Sequence, residues 1–270
     1  SSDLPTDTEV EEAPAPQFEL PREEFMAQWP CFRGPTGVGV VEPADYPTSW
    51  DGESGKNIIW KTEVPLDGTS SPIIWKDRIF LTGAGSIEEQ AVYCFSRENG
   101  ELLWTTPVRA DRDWEADDVQ LYQDTGYAAP TPVADGERVY ALYASGDLVA
   151  VDFDGEVVWS RNLGEPHNMY GISQSPTFHK DALIVQFDQA ETSESRMLWI
   201  NPLTGEDMVS LPRDYMANAS WASPILAETD QGLRVLTACD PFVVAYDPET
   251  REEVWRANAI RGDVGPSPIY

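Results

Sequence analysis

The sequence predicts an all-β fold, a β-propeller of four-stranded antiparallel blades, and three observations carry that expectation. A Ser-Pro or Thr-Pro step followed by a β-rich run recurs at Ser71-Pro72, Thr131-Pro132, Ser175-Pro176, Ser223-Pro224 and Ser267-Pro268, with proline spacings of 60, 44, 48 and 44 residues. After each of the first four steps the same pieces follow: a turn and second strand, a third strand ending in an Asn/Asp turn that usually holds Gly, and a fourth strand closing on a large apolar residue. Four short strands in a period of about 44 residues make one blade.

Taken in order, residues 1–28 read as an acidic, Pro-rich extended stalk. Residues 1–24 hold eight acids and one base, Arg22, with prolines at 5, 14, 16 and 21. Such a segment is expected to be a mobile linker unless a partner holds it. The opening Ser1-Ser2-Asp3 resembles the start of a mature exported protein, with a lipid anchor expected upstream of Ser1. Residues 29–270 form the propeller. The run at 57–64 has the pattern of a fourth strand without its preceding three, and Trp60 is its anchor. Complete blades are expected at about 71–108, 129–163, 173–211 and 221–256, with anchors Trp104, Trp159, Leu211 and Trp255 between blades, where an indole buries much area in one contact. A fifth blade begins at 265–270. The unpaired run at 57–64 implies that the native chain continues for two to four more blades.

The charge narrows the partners. Forty-seven acids against 18 bases give a formal charge of -29 and a pI near 4.1, which excludes nucleic acid and anionic lipid as direct partners, because both require a Lys/Arg surface. The stalk accounts for only -7, so the folded surface is itself acidic; partners with basic surfaces, or a salty environment, would explain it. No apolar run approaches the ~20 residues of a membrane helix.

The motifs that carry chemistry elsewhere read here as structure. Cys31, Cys94 and Cys239 are far apart and odd in number, so buried small hydrophobes are expected, without a disulfide framework or a metal knuckle. The glycine-rich run 34–39 lacks the strand and helix of a phosphate loop and reads as a turn. Asp152 and Asp154 before Gly155 begin a calcium loop but fall at a hairpin. Asn218 opens a glycosylation sequon without other support. His179 falls in a turn between strands and is expected to be solvated. No catalytic, cofactor-binding or metal-binding residue is nominated.

Two segments are candidates for binding. The insertion 105–128 mixes Arg109, Arg112, Asp117 and Asp118 with Trp114, Tyr122 and Tyr127, the residue types enriched at protein interfaces, and packing back on its own propeller is the other reading. Just before the third Ser-Pro step, His167, Asn168 and Tyr170 are placed to line the mouth of the central channel.

The residues 29–39 (WPCFRGPTGVG), 57–61 (NIIWK), 129–140 (APTPVADGERVY) and 262–268 (GDVGPSP) resemble the PQQ-like, quinoprotein-type β-propeller repeat proteins of exported bacterial type. The resemblance covers about nine-tenths of the chain and implies a ring of seven or eight blades. Two functional relatives follow from it. Quinoprotein alcohol dehydrogenases hold pyrroloquinoline quinone over Ca²⁺ with an Asp base, a Trp floor and a vicinal Cys-Cys disulfide; no two cysteines here are adjacent. The propeller lipoprotein of the outer-membrane β-barrel assembly machine is a non-enzymatic docking subunit. The expectation is therefore a non-catalytic scaffold or protein-interaction subunit of a cell-envelope complex, exported to the periplasm or outer surface, with no cofactor. The alternatives are a PQQ- and Ca-dependent dehydrogenase and a sugar- or ion-binding module.

Overall fold

The computed structural model describes residues 18–41, 46–115, 121–122, 124–190, 194–216 and 218–270. Sixteen strands form four antiparallel sheets, each a meander of four consecutive strands. The first blade is β1 (Ile73–Trp75), β2 (Arg78–Ala84), β3 (Gln90–Ser96) and β4 (Leu102–Val108). The second is β5 (Val133–Ala134), β6 (Arg138–Leu142), β7 (Asp147–Asp152) and β8 (Val157–Asn162). The third is β9 (Thr177–His179), β10 (Ala182–Phe187), β11 (Arg196–Ile200) and β12 (Asp207–Pro212), and the fourth is β13 (Ile225–Thr229), β14 (Gly232–Cys239), β15 (Phe242–Tyr246) and β16 (Glu253–Asn258). The fold is a β-propeller of four-stranded blades.

Burial explains the composition of each strand. The second strands β6 and β10 are buried at every position but the Arg138 end, as strands covered on both faces must be, and they read as continuous apolar runs. The fourth strands lie outermost and are the most exposed of each blade, turning inward one or two apolar side chains such as Trp104, Trp159 and Val209. One core cluster runs through the first three blades, and a second joins the third to the fourth. All three cysteines are free and buried, as expected; burial pushes the Cys31 thiol up to about 12 and that of Cys94 to about 11.

The Ser-Pro repeat has a physical cause. Proline biases the preceding residue to extended backbone, so the Ser N–H points sideways, away from its own sheet. It then donates to the hydroxyl of the same step in the next blade. Ser71 donates to Thr131 Oγ1 (2.9 Å), Thr131 to Ser175 Oγ (3.0 Å), Ser175 to Ser223 Oγ (2.9 Å) and Ser223 to Ser267 Oγ (3.1 Å). Five repeats are thus linked along the inner rim.

The outer rim is held by indoles. Trp104 Nε1 donates to Phe153 O (2.9 Å) and Trp159 Nε1 to Pro202 O (2.9 Å), each in the third-to-fourth-strand hairpin of the following blade. The indole lies against the hairpin glycine: a Cβ on Gly155 would come within 3.0 Å of Trp104, and one on Gly205 within 2.7 Å of Trp159. Both glycines have positive φ, so both freedom and space require Gly there. Trp60 makes the same clasp on the first blade, donating to Arg97 O (3.0 Å) and covering Gly100. Residues 57–64 nevertheless form no strand, contrary to the pattern, because no described strand pairs with them.

The third blade corrects the sequence reading. The anchors Trp104, Trp159 and Trp255 pair with Cys94, Ala150 and Ala245, each beside a bulge in the ladder. In the third blade the residue at that register is Val209, opposite Trp199, and not Leu211. The glycine position of the fourth blade is taken by Arg251, at φ 61°. Trp255 itself is 40% exposed.

The N-terminal segment departs from the extended stalk expected over residues 1–28. Residues 1–17 lie outside the described residues, but 18–39 cross all four blades as a strap. Leu20 pairs with Lys180, Trp29 with Ile74, and the Ala134 N–H donates to Pro30 O. The short helix α1 (Arg22–Met26) buries Phe25, and Arg22 pairs with Glu228 (3.1 Å) while Glu24 pairs with Lys76 (3.5 Å). The glycine-rich run 34–39 is a turn of this strap: the amides of Gly34, Gly37 and Gly39 all donate within it, and a Cβ on Gly37 would strike Ile225 at 2.7 Å.

Candidate functional site

Two segments separated in sequence meet on the face that carries the fourth-to-first-strand connections. The Tyr122 N–H donates to Met169 O (2.8 Å), and the Tyr122 ring lies 5.4 Å from that of Tyr170. Tyr170 meets Trp221 edge-on at 5.0 Å, and the Trp221 indole N–H donates to Asn168 Oδ1 (3.2 Å). Tyr122 is 54% exposed and Met169 51%. The insertion loop and the channel-mouth loop, read separately in the sequence, are one aromatic patch. Trp221 was not singled out, although its place two residues before a Ser-Pro step put it at the same end of a blade as Tyr170.

The patch has an acidic rim. His167 sits between two carboxylates, with Nε2 3.4 Å from Glu165 Oε2 and Nδ1 3.2 Å from Glu194 Oε2. The Asn168 amide nitrogen is buried without a partner among the described residues.

The remainder of the insertion folds back. Arg112, only 10% exposed, contacts both carboxylate oxygens of the fully buried Asp147, donates to Ile87 O (2.8 Å) and pairs with Glu88 (2.5 Å). The hydrogen bond to Asp147 and the two neighbouring carboxylates raise the guanidinium pKa against its burial. Trp114 is half-buried, with Arg112 over its ring at 5.3 Å and its N–H donated to Asn162 Oδ1 (3.1 Å). Arg109 is exposed. Asp117 and Asp118 lie outside the described residues. Within the insertion, the exposed aromatic that reaches the patch is therefore Tyr122, while Arg112 and Trp114 brace the first blade against the second.

His179 corrects the expectation of a solvated turn. It is 6% exposed because the fourth-blade hairpin covers it, with Glu249 Oε1 3.0 Å from Nε2. Burial lowers its pKa, and Glu249 only partly offsets this. The Asp152 to Gly155 turn is a hairpin: Asp152 Oδ1 accepts from the N–H groups of Asp154 and Glu156.

Beneath the patch, Trp221 also walls a cavity of about 230 Å³ on the channel axis, between the strap and the Ser/Thr-Pro steps. Hydroxyls and Arg33 make up its polar lining, and no Asp or Glu does. Calcium requires several oxygen ligands, carboxylates above all. No group of three or more His, Cys, Asp or Glu side chains among the described residues could hold a metal ion. Among the described residues, this cavity therefore offers no carboxylate to a Ca²⁺ ion.

Comparison with known proteins places this geometry. The profile of the family described as outer membrane protein assembly factor BamB matches residues 38–235. BamB from Moraxella catarrhalis superposes with a TM-score of 0.50 at 18% identity, over 74% of this chain and 54% of its own. Quinohemoprotein alcohol dehydrogenase from Comamonas testosteroni superposes with a TM-score of 0.54 at 15% identity, over 86% of this chain and 41% of its own. Quinohemoprotein alcohol dehydrogenase ADHIIG from Pseudomonas putida HK5 gives 0.51 at 16%, over 74% and 35%. The chain thus spans about half or less of each of these structures, and at such identities the likeness is one of fold. Among curated proteins, none matches the sequence.

Proposed function

The chain belongs to the propeller family described as outer membrane protein assembly factor BamB, and from that membership we propose that it is a non-catalytic scaffold, a protein-interaction subunit of a bacterial cell-envelope complex. The patch of Tyr122, Met169, Tyr170 and Trp221 carries the reading. Tyr and Trp present large contact area at small entropic cost, and here they stand on loops fixed by tilted and edge-on ring contacts and a backbone hydrogen bond. The acidic rim of Glu165 and Glu194, on a chain of charge -29, calls for a partner whose contacting surface is basic. Export to the periplasm or outer surface is part of the same reading, supported by the family's description. No described helix is long and apolar enough to cross a membrane.

The test is a site-specific photo-crosslinker at Tyr122 in cells, with Arg109 as a comparison site. Crosslinks to one defined envelope protein from Tyr122, lost in Tyr170→Ala while thermal stability is kept, are expected. Dye-linked alcohol oxidation on addition of PQQ and Ca²⁺ would overturn the non-catalytic reading in favour of a dehydrogenase.

A further inference from the structure

The channel cavity has an unusual inventory for so acidic a protein. Thr131, Ser175 and Ser223 are 1%, 4% and 5% exposed, and with Ser267 they line it. Each of the four oxygens already accepts a backbone N–H from the neighbouring blade. A hydroxyl that accepts still has one hydrogen to donate. None of these four hydrogens has an acceptor among the described residues. Arg33 adds a guanidinium, which has five N–H donors and no acceptor.

Arg33 is exposed, lies over the Phe32 ring (5.1 Å) and, like Arg97, Arg109 and Arg196, pairs with no carboxylate among the described residues, in a chain where acids outnumber bases 47 to 18. It also holds φ at 58°, a conformation unfavourable for a residue with a Cβ, fixed by the Gly39 N–H donating to Arg33 O (2.8 Å). The strap's glycine amides are spent on its own turn, so the guanidinium and the hydroxyls are the donors offered.

We infer that this cavity is an oxyanion site, taking a phosphate, sulfate or carboxylate group on Arg33 and the hydroxyls of Thr131, Ser175, Ser223 and Ser267. Four hydroxyls with an unspent hydrogen and a guanidinium, with no carboxylate among the lining residues, favour an acceptor-rich, negatively charged ligand. The volume of about 230 Å³ lies below the roughly 300–1,000 Å³ of pockets for drug-sized ligands, so the bound part is small: a free oxyanion, or the anionic end of a larger molecule. The inference does not rest on the scaffold reading, since neither Tyr122 nor Met169 lines the cavity.

Isothermal titration of the full chain tests it, with sodium phosphate, sodium acetate and a short peptide with a free C-terminal carboxylate, each against sodium chloride at matched ionic strength. Saturable binding of at least one of the three is expected, with the amidated peptide inactive. Phosphate or acetate binding assigns a free ion, and peptide binding alone assigns a partner's terminus. Arg33→Gln should weaken binding tenfold or more, consistent with loss of charge-assisted hydrogen bonds, whereas Arg109→Gln, at an exposed arginine away from the cavity, should not. Circular dichroism confirms folding, and Arg33→Ala stands in if Arg33→Gln does not fold. No saturable binding of any probe, or equal binding by wild type and the Arg33 variant, overturns the site.

Discussion

The junction between the second and third blades and that between the third and fourth use the same hairpins but different chemistry. At the former, the Trp159 indole closes on Gly205 and donates to Pro202 O. At the latter, Val209 and Arg251 occupy the equivalent positions, and the work passes to charged groups. Arg213 and Asp188 of the third blade, both fully buried, bond through Nε to Oδ1 (2.7 Å) and Nη2 to Oδ2 (3.1 Å). Arg213 Nη1 then reaches into the fourth blade, to Tyr246 Oη (2.8 Å) and Thr237 Oγ1 (3.1 Å). Burial opposes this charge, but Asp188 and the neighbouring tyrosines outweigh it and raise the guanidinium pKa well above its ordinary value. Nearer the surface, Arg251 pairs with Asp181 (2.7 Å) and Glu249 with both Lys180 (2.6 Å) and His179. The second-to-third junction is largely apolar, with one partly exposed ion pair between Arg161 and Asp207 (2.8 Å), while the third-to-fourth adds buried and rim charges that can be titrated.

The largest expected effect breaks the ionic junction. Arg213→Ala leaves Asp188 buried without a counter-charge, which costs about 3–5 kcal/mol. Replacing both partners with apolar residues, Arg213→Met with Asp188→Leu, should recover most of the loss, because the desolvation cost leaves with the charges. Urea unfolding measures both; a single-variant loss below about 1 kcal/mol would show that the network does not hold the blades.

Breaking the apolar junction comes next. Gly205→Ala places a Cβ 2.7 Å from the indole at φ 76°, combining left-handed strain of about 1–2 kcal/mol with overpacking of about 1–3 kcal/mol. A loss of about 2–5 kcal/mol in urea unfolding is expected, with quenching of the half-buried Trp159 altered. An unchanged midpoint would mean that the indole is not clasped.

Acid should separate the junctions without mutation. Burial holds His179 below the ordinary value near 6.5, so its contribution is complete above that pH and is lost as pH falls through it. Glu249 is likewise lowered, by its hydrogen bonds to Lys180 and His179, and its contribution is present above the ordinary carboxylate range and lost as pH falls through its folded value. Both signs agree: acidification weakens the third-to-fourth junction. Amide exchange in β13 to β16 at pH 5.5 against pH 7.5, corrected for intrinsic rates, should show protection falling more than in β5 to β8. Equal loss in the two blades would count against the contrast.

What the sequence made legible is what depends on residue identity alone. The Ser-Pro steps recur in every blade and the Trp-Gly pairs at three junctions because each does the same job wherever it occurs, and so they reveal the period and the four sheets. Val209 was illegible because the bulge beside Trp199 shifts the register, which only the hydrogen-bond ladder reveals. His179 and Arg213 look solvated in their own segments and are buried by residues of the next blade, Glu249 being 70 positions away. The same holds for Arg112, whose partner Asp147 lies 35 residues on. Tyr122 and Tyr170 were visible as candidates, but their contact was not, since no spacing rule links two loops of different length.

The smallest effect is the most diagnostic of how the two junctions differ. Arg251→Gly removes an ion pair with Asp181, whose carboxylate is half-exposed, worth about 0.2–1 kcal/mol, and relieves left-handed strain of about 1–2 kcal/mol. The two nearly cancel, so the unfolding midpoint should move little, and upward if at all. The cavity of about 580 Å³ lined by Arg251, Lys180, Pro202 and Met208 shows that this hairpin is not packed as tightly as its neighbours, so removing the side chain leaves no clash and little new void. A Val209→Trp change alone would meet the Arg251 side chain at the position that glycine keeps clear elsewhere, and should destabilise. Made together with Arg251→Gly, it should be tolerated and should give a new indole fluorescence that is insensitive to pH between 7.5 and 5.5. If the double variant is no more stable than Val209→Trp, the coupling inferred from the other two clasps does not extend to this blade.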